Sequence, residues 1–455
     1  MGETRRWMVW GFVVLLAARW WTVGCGSAAE APTLSIPAPI VTKITIGNPE
    51  GGLSTITGAA GAVTGGNLVS AQNLTQEGIT SRWERLFWGI AYAATTVQTT
   101  AAADGSFSLQ IEASLGDRIR ITQRDAAGST STAAEMVAPY QPLTLAFTPT
   151  GIAVDPDSDT AYIIGTSGDD GVVAPLTFGA TPTLGNTSTL LSACNRPTAV
   201  AVDGTRNRLI VVDHTNRTVC DHPQNGDPAT LAASLTVAPL NIAIDVSGDV
   251  AVITNDTAAA DVEVSLLDLT TDAFVPVTLP NPVGGTLQSS TPVVATGQVN
   301  GTNYAVVVTT YANNDHYGFL INLDTEVVLG TGTALSLTAP GEARVFNNNS
   351  VLLSDAGGVA RIYVIDEASG VATLTNTLTV GTSPRGVAVD TARRRGYVAN
   401  LGSATVSRLD LNTSPETVTN TIDVATEPIH LAFRGGTTNQ LAIVHQDGTL
   451  IVLGE

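Results

Sequence analysis

The sequence predicts an all-β protein, a seven-bladed β-propeller preceded by a β-sandwich. Three observations carry that expectation. The 455 residues are 44% hydrophobic but only 13% charged, with 44 Gly and 22 Pro, and Val, Thr and Ala dominate. That composition suits strands and tight turns rather than helices. A proline-led phrase recurs: PTGIAVD (149–155), PTAVAVD (197–203), PLNIAID (239–245), PRGVAVD (384–390) and PIHLAFR (428–434), with PVVATGQ (292–298) and PGEARVF (340–346) as degraded copies. Ahead of these repeats, residues 41–138 hold about seven short alternating segments between Gly, Asn and Asp turns, the pattern of a sandwich.

The chain begins MGETRRWMVWGFVVLLAARWWTVGCGS. Arg5 and Arg6 precede an apolar run ending in small residues, as in a secretion signal. The run is too short, and too interrupted by Arg19, for a comfortable membrane-spanning helix. TVGC resembles a bacterial lipoprotein box, which implies cleavage after residues 1–24 and lipid on Cys25. The box departs from the usual pattern at Thr22 and Arg19, and an ordinary signal peptide cut nearby is the alternative. Gly26, rather than Asp, follows the cysteine, which favours the outer membrane. Residues 25–40 are small, Pro-containing and aperiodic, the composition of a tether.

Within residues 41–138 the phrases GAAGAV, ADGSFSLQI and GDRIRITQRDAAGSTS resemble bacterial Ig-like surface modules. One stretch departs from that resemblance. TSRWERLFWGIAY places Trp83, Phe87 and Trp88 where such modules carry a plain hairpin, either packed against the sandwich or exposed as a contact patch.

The repeat prolines are separated by 48, 42, 53, 48, 44 and 44 residues. Thirteen residues after four of them comes a second apolar run: YIIG, IVVD, VITN and YVAN. Third strands such as ARIYVIDE and ATVSRLDL follow, then a fourth such as TNTIDV. Four short strands per unit of this length make a propeller blade. Seven prolines give seven blades over residues 141–455, and the last unit is one strand short. Residues 143–148 are expected to supply that strand and close the ring, since an open ring leaves two unpaired edges. The region resembles the YVTN family of β-propeller repeats, and YVAN nearly spells its name.

Propellers bind ligands mainly on the face carrying the loops after the second strands and those entering the first strands. Those loops contain Asp169, Asp170, His214, Asp256, Asp261, Asp315, His316, Asp355, His445 and Asp447, with His430 near the channel mouth. Histidines and carboxylates on one face suit a divalent metal or a general acid/base pair. Loop tips are also rich in Asp and Asn for turn geometry alone. In PGEARVF, Arg344 stands where other repeats have Ala153, Ala201, Ala243, Ala388 and Ala432, and Glu342 projects to the same side. Such a pair bonds neighbouring blades or grips an anionic ligand. DPDSDT (155–160) mimics the start of a calcium loop but lacks its Gly and distant Glu, and reads as a turn.

Three cysteines are an odd number for an exported chain. With Cys25 lipidated, Cys194 and Cys220 form an even pair suited to a disulfide. A zinc site with His214 and His222, or two buried thiols, are the other options. A net charge of −19 argues against a nucleic-acid partner. There is no Walker loop, dinucleotide Gly motif, HExxH or GxSxG. No cofactor is therefore expected, and no metal can be named. The expectation is a monomeric, lipid-anchored binding or scaffold protein of the outer membrane, partnered by an envelope protein or polysaccharide. A metal-dependent, lactonase-like hydrolase and an adhesion or structural protein are the alternatives.

Overall fold

The computed structural model describes residues 36–455 apart from 48–52, 75–95, 114–116, 139, 180–181, 191, 225–229, 246, 248, 257–261, 283, 285–291, 312–313, 348, 425, 437–438 and 455. The leader, Cys25, the first part of the tether, Asp261 and the insert with Trp83, Phe87 and Trp88 lie outside the described residues. The rest, Ile36–Glu455, is one compact unit. It is all-β, with four-stranded antiparallel sheets arranged like a propeller. No described helix is long and apolar enough to cross a membrane.

The first strands are β1 Ile44–Ile46, β2 Leu53–Gly58, β3 Leu68–Asn73, β4 Thr96–Thr100, β5 Phe107–Glu112, β6 Arg118–Arg124, β7 Ala134–Val137 and β8 Tyr140–Thr144. Strands β4-β3-β6-β7 form one sheet, and β1-β2-β5 belong to another. Strict alternation puts one face of each into a shared core: Ile44, Ile46, Ile56, Val69, Ile111, Ile119 and Ile121 are all buried. Burying each such side chain contributes about 1.5–3 kcal/mol. Buried Gln123 accepts from Thr64 N (2.8 Å) and Asn67 Nδ2 (2.9 Å), and its Nε2 donates to Pro37 O (2.7 Å). Ile40 N donates to Ala62 O at 2.8 Å. Residues 36–40, expected to be tether, are thus docked on the sandwich, because a buried amide needs an acceptor and Pro37 supplies it.

The repeats follow. Strands β9 Thr148–Val154, β10 Thr160–Ser167 and β11 Asp170–Thr177, with the short β12 Thr183–Leu184 and β13 Ser188–Thr189, form the first sheet. The second holds β14 Pro197–Asp203, β15 Arg208–Asp213, β16 Thr218–Pro223 and β17 Thr230–Ser234. The third holds β18 Ala238–Ile244, β19 Val250–Asp256, β20 Val262–Asp268 and β21 Ala273–Leu279. In the fourth are β22 Val293–Val299, β23 Thr302–Thr310, β24 His316–Asn322 and β25 Val327–Leu335. The fifth consists of β26 Pro340–Phe346, β27 Ser350–Asp355, β28 Val359–Asp366 and β29 Val371–Thr379. The sixth consists of β30 Pro384–Asp390, β31 Arg395–Asn400, β32 Thr405–Asp410 and β33 Thr417–Asp423. Last come β34 Pro428–Arg434, β35 Gln440–His445 and β36 Thr449–Gly454.

Strand β36 pairs with β8, from Thr449↔Thr144 to Leu453↔Tyr140, and Tyr140 also pairs with Ile46 of β1. The partner of the last repeat is therefore Tyr140–Thr144, beginning three residues before the expected 143–148, with one more bond from Leu145 N to Gly448 O. Pro142 hides this start in the sequence. It is tolerated because, beyond Tyr140, the outer side of β8 has no strand partner among the described residues. Leading strands β9, β14, β18, β22, β26, β30 and β34 each neighbour the next, and β34 neighbours β9. Between the last repeat and the first, Gln440 Oε1 accepts from Gly179 N (2.8 Å), its Nε2 donates to Gly179 O (2.9 Å), and Arg434 Nε donates to Asp159 Oδ1 (3.0 Å). Cys194, in a short 3-10 turn, and Cys220 of β16 are joined by a disulfide spanning 26 residues. Both sulfurs are consumed, so neither is a thiolate for zinc.

Candidate functional site

The repeat phrase explains itself once the register is known. A proline at the start of a leading strand has no N–H for the ladder, and a bulge follows it. Register shifts come immediately after Pro197, Pro239, Pro340, Pro384 and Pro428, and beside Pro149. Strand β22 has none, and there Pro292 lies outside the strand. Opposite five of the prolines sit Asp213, Asn255, Asp355, Asn400 and His445, the last polar residues of the YVAN-like runs. All five are buried.

Asp213, Asp355 and His445 hold the chain that enters their sheets, whereas Asn400 bonds the neighbouring strand β32. Asp213 Oδ2 accepts from Arg196 N (2.7 Å), and Asp355 Oδ1 accepts from Thr338 N (2.9 Å) and Ala339 N (3.1 Å). Asn400 Nδ2 donates to Ser407 Oγ (3.0 Å), and His445 Nδ1 meets Thr426 Oγ1 (2.6 Å). The Asp ending each VD phrase does similar work in the hairpin turn. Asp155 accepts from Asp157 N (2.9 Å), and Asp390 from Arg393 N (3.0 Å). Among the loop residues singled out from sequence, Asp355 and His445 are therefore crossing clamps, and Asp447, which accepts from Thr449 N (2.8 Å), is a turn clamp.

The leading strands also surround a space between them. A cavity of about 440 Å³ lies there, lined by residues of all seven leading segments. Ile152, Val200, Leu240, Ile242 and Val294, with Thr150, Thr198 and Asn241 among them, make one side neutral and partly apolar. Glu342, Arg344, Arg385 and His430, from the last three strands, supply the charge. Glu342 Oε1 meets His430 Nδ1 at 2.6 Å, and Val387 N donates to Glu342 Oε2 at 3.2 Å. Arg344 Nη1 donates to Ala343 O (2.8 Å), while its Nη2 lies 3.5 Å from Glu342 Oε2, at the limit of a hydrogen bond. Burial opposes ionisation of Glu342, but the His430 hydrogen bond and charge, Arg344 and the Val387 N–H outweigh it and hold the carboxyl below its ordinary value. Gly386 lets β30 approach closely: a Cβ there would stand 2.9 Å from His430 Cα.

Of the residues singled out from sequence, Glu342, Arg344 and His430 come together in this cavity. The others do not join them. His214 Nε2 pairs with Asp256 Oδ2 at 3.1 Å. Asp315 is exposed beside β24. His316, the first residue of β24, is buried with Nδ1 on Thr310 Oγ1 (2.9 Å), and burial pushes its pKa down despite Thr338, Asp355 and Asp315. His445, the last residue of β35, is fully buried, and burial pushes its pKa down to about 4 against the pull of Asp447 and Thr426. Both were expected on open loops. They are strand termini, and the packing of neighbouring sheets covers them. Among the described residues no three His, Cys, Asp or Glu side chains are grouped to hold a metal ion.

Arg385 is the further charged residue of the cavity. It follows Pro384 where the other repeats have Thr150, Thr198, Leu240, Val293, Gly341 and Ile429, so its charge was a visible anomaly. It is exposed, and no ion pair joins it to a described residue.

No family model matches the chain, neither a YVTN repeat nor an Ig-like one, and no curated protein matches it. Among solved structures it is similar to Kuenenia stuttgartiensis hydrazine synthase, with a TM-score of 0.56 at 12% identity over 69% of this chain and 97% of that one. At that identity the likeness concerns the fold alone.

Proposed function

We propose that the protein is a seven-bladed propeller with an N-terminal Ig-like module, anchored through lipid on Cys25 at the outer membrane, and that it works as a binding or scaffold protein of the cell envelope. The observation that carries a binding role is the cavity of about 440 Å³, with an apolar side, a charged side and arginines whose donors are largely unspent. That volume lies within the range of small-molecule sites. The Cys194–Cys220 disulfide fits an oxidising, extracytoplasmic location. The cyclic order of the leading strands, with β8 pairing β36, supports the seven-bladed reading.

Anchoring is tested by fractionation of cells carrying Cys25→Ser. Release of the variant into the soluble extracytoplasmic fraction is expected, and unchanged membrane partitioning rejects the anchor. Partners are sought by cross-linking on intact envelopes, with recovery of the same envelope component by wild-type protein and not by a cavity variant as the expected result.

A further inference from the structure

We infer that the cavity is a binding site for a small organic carboxylate with an apolar body, its carboxylate held between Arg344 and Arg385. The inference rests on the binding reading above and names its ligand class. The protein as a whole is acidic, with a net charge of −19, yet the charged side of the cavity carries two arginines and His430 against the one carboxylate of Glu342. Glu342 is already engaged by His430 and by the Val387 N–H. Arg344 spends one short hydrogen bond on its neighbour's carbonyl and reaches Glu342 only at 3.5 Å, with 42% of its side chain exposed. Arg385 is exposed and has no ion pair among the described residues. The two arginines stand on adjacent strands brought close at Gly341, where a Cβ would lie 3.1 Å from Arg385 Cα.

Guanidinium groups match the planar, two-pronged geometry of a carboxylate, and a site walled by protein strengthens that pairing over its worth in water. The facing wall of Ile152, Val200, Ile242 and Val294 offers no charge and little hydrogen bonding, so it suits a hydrocarbon body. The polar residues of that wall are partly engaged: the Thr150 and Thr198 hydroxyls are spent on Pro197 O (2.8 Å) and Val212 O (3.2 Å), and Asn241 Oδ1 accepts from Ile242 N (2.9 Å). A phosphate or sulfate alone would use the arginines and leave the apolar wall uncovered. A neutral apolar molecule would leave two arginines without an anion.

The test is calorimetric titration of the purified full chain at pH 7 with octanoate, octan-1-ol and acetate. Octanoate is expected to bind saturably at one site, with octan-1-ol and acetate each at least about tenfold weaker. Arg344→Ala with Arg385→Ala is expected to lower octanoate affinity by more than about tenfold while leaving the circular dichroism spectrum of the folded protein unchanged, since neither side chain is part of the buried core. Glu342→Gln removes the competing carboxylate and is expected to tighten octanoate binding. The inference is overturned if octanoate gives no saturable heat up to about 10 mM, if the double arginine variant binds it as well as wild type, or if octan-1-ol binds equally. None of these outcomes touches the Cys25→Ser fractionation, so failure of this site and failure of the anchored-protein reading are told apart.

Discussion

Glu342 on β26 and His430 on β34 meet at 2.6 Å across β30, the strand that lies between theirs. Glu342 also accepts from Val387 N of that middle strand, so one carboxylate ties three leading strands together. Gly386 makes the reach possible by removing a side chain at the point where β30 passes His430.

Removing that carboxylate should loosen the last three repeats together. Glu342→Ala is expected to lower unfolding stability by about 2 kcal/mol at pH 7, the scale of a charge-assisted hydrogen bond in a mostly buried site. Because the folded carboxyl lies below its ordinary value of 4.5, the stabilisation is fully present above that pH and is lost as pH falls through the lower folded value. Urea unfolding of wild type and variant between pH 7 and pH 3 checks this. A gap that stays constant over that range would mean Glu342 contributes no ionised contact.

His445 occupies a position where the fifth and sixth repeats use Asp355 and Asn400. Burial keeps it neutral in the folded protein down to about pH 4, whereas in the unfolded chain it takes up a proton near its ordinary 6.5. The unfolded state therefore binds more protons between these values, and stability falls as pH drops from 6.5 towards 4, by up to about 3 kcal/mol. His445→Asn keeps a polar group of similar reach for Thr426 and removes the titration. The variant should lose markedly less stability than wild type between pH 7 and pH 4.5, although His316 and His222, both shifted down by burial, still soften it. Parallel pH profiles would refute the assignment.

The architecture was legible because its signals are local and repeated. A proline and a polar strand end, 15 to 17 residues apart, recur in the sequence, and the register shows them as cross-strand partners in Pro197↔Asp213, Pro340↔Asp355, Pro384↔Asn400 and Pro428↔His445. The site was legible only in part. Arg344 stands out because it replaces the alanine of the other repeats, and Glu342 because it projects to the same side two residues earlier. Arg385 is an equally clear departure, but it sits in PRGVAVD, otherwise one of the best-formed copies, so the regularity of the phrase masks its charge. The burial of His316 and His445 could not be read from sequence, because polar residues at strand ends look the same whether the next sheet covers them or not.

The turn in TARRRG offers a test of the repeat logic at a single backbone position. Arg394 adopts φ 52°, and Asn207, Asn300, Asn347 and Asn439 hold the same left-handed conformation in turns that follow other leading strands. Asn tolerates that region better than a long side chain does. Arg394→Asn is therefore expected to raise stability by about 1 kcal/mol in urea unfolding at pH 7. A destabilised variant would show that the arginine side chain makes a contact worth more than the strain it bears.

The last prediction concerns β8. Its residues 140–144 pair with 449–453 of β36, and Leu143 packs with Leu145, Val444, Leu450 and Val452 in one core. Without β8 the edge of β36 is unpaired, and an exposed strand edge both destabilises a sheet and recruits other chains. Removing the sandwich uncovers apolar surface as well, since Ile44, Ile46 and Tyr140 share a core with Tyr397 and Leu453. A fair comparison must therefore remove the sandwich from both chains. A chain starting at Tyr140 keeps β8, and a chain starting at Leu145 lacks only that strand. The second should melt about 5–10 °C lower, the shift expected from losing a few kcal/mol in a chain of this size. It should also self-associate, as read by light scattering. Equal melting temperatures with both chains monomeric would show that β8 is dispensable and that the last sheet is held by Gln440 and Arg434 against the first repeat instead.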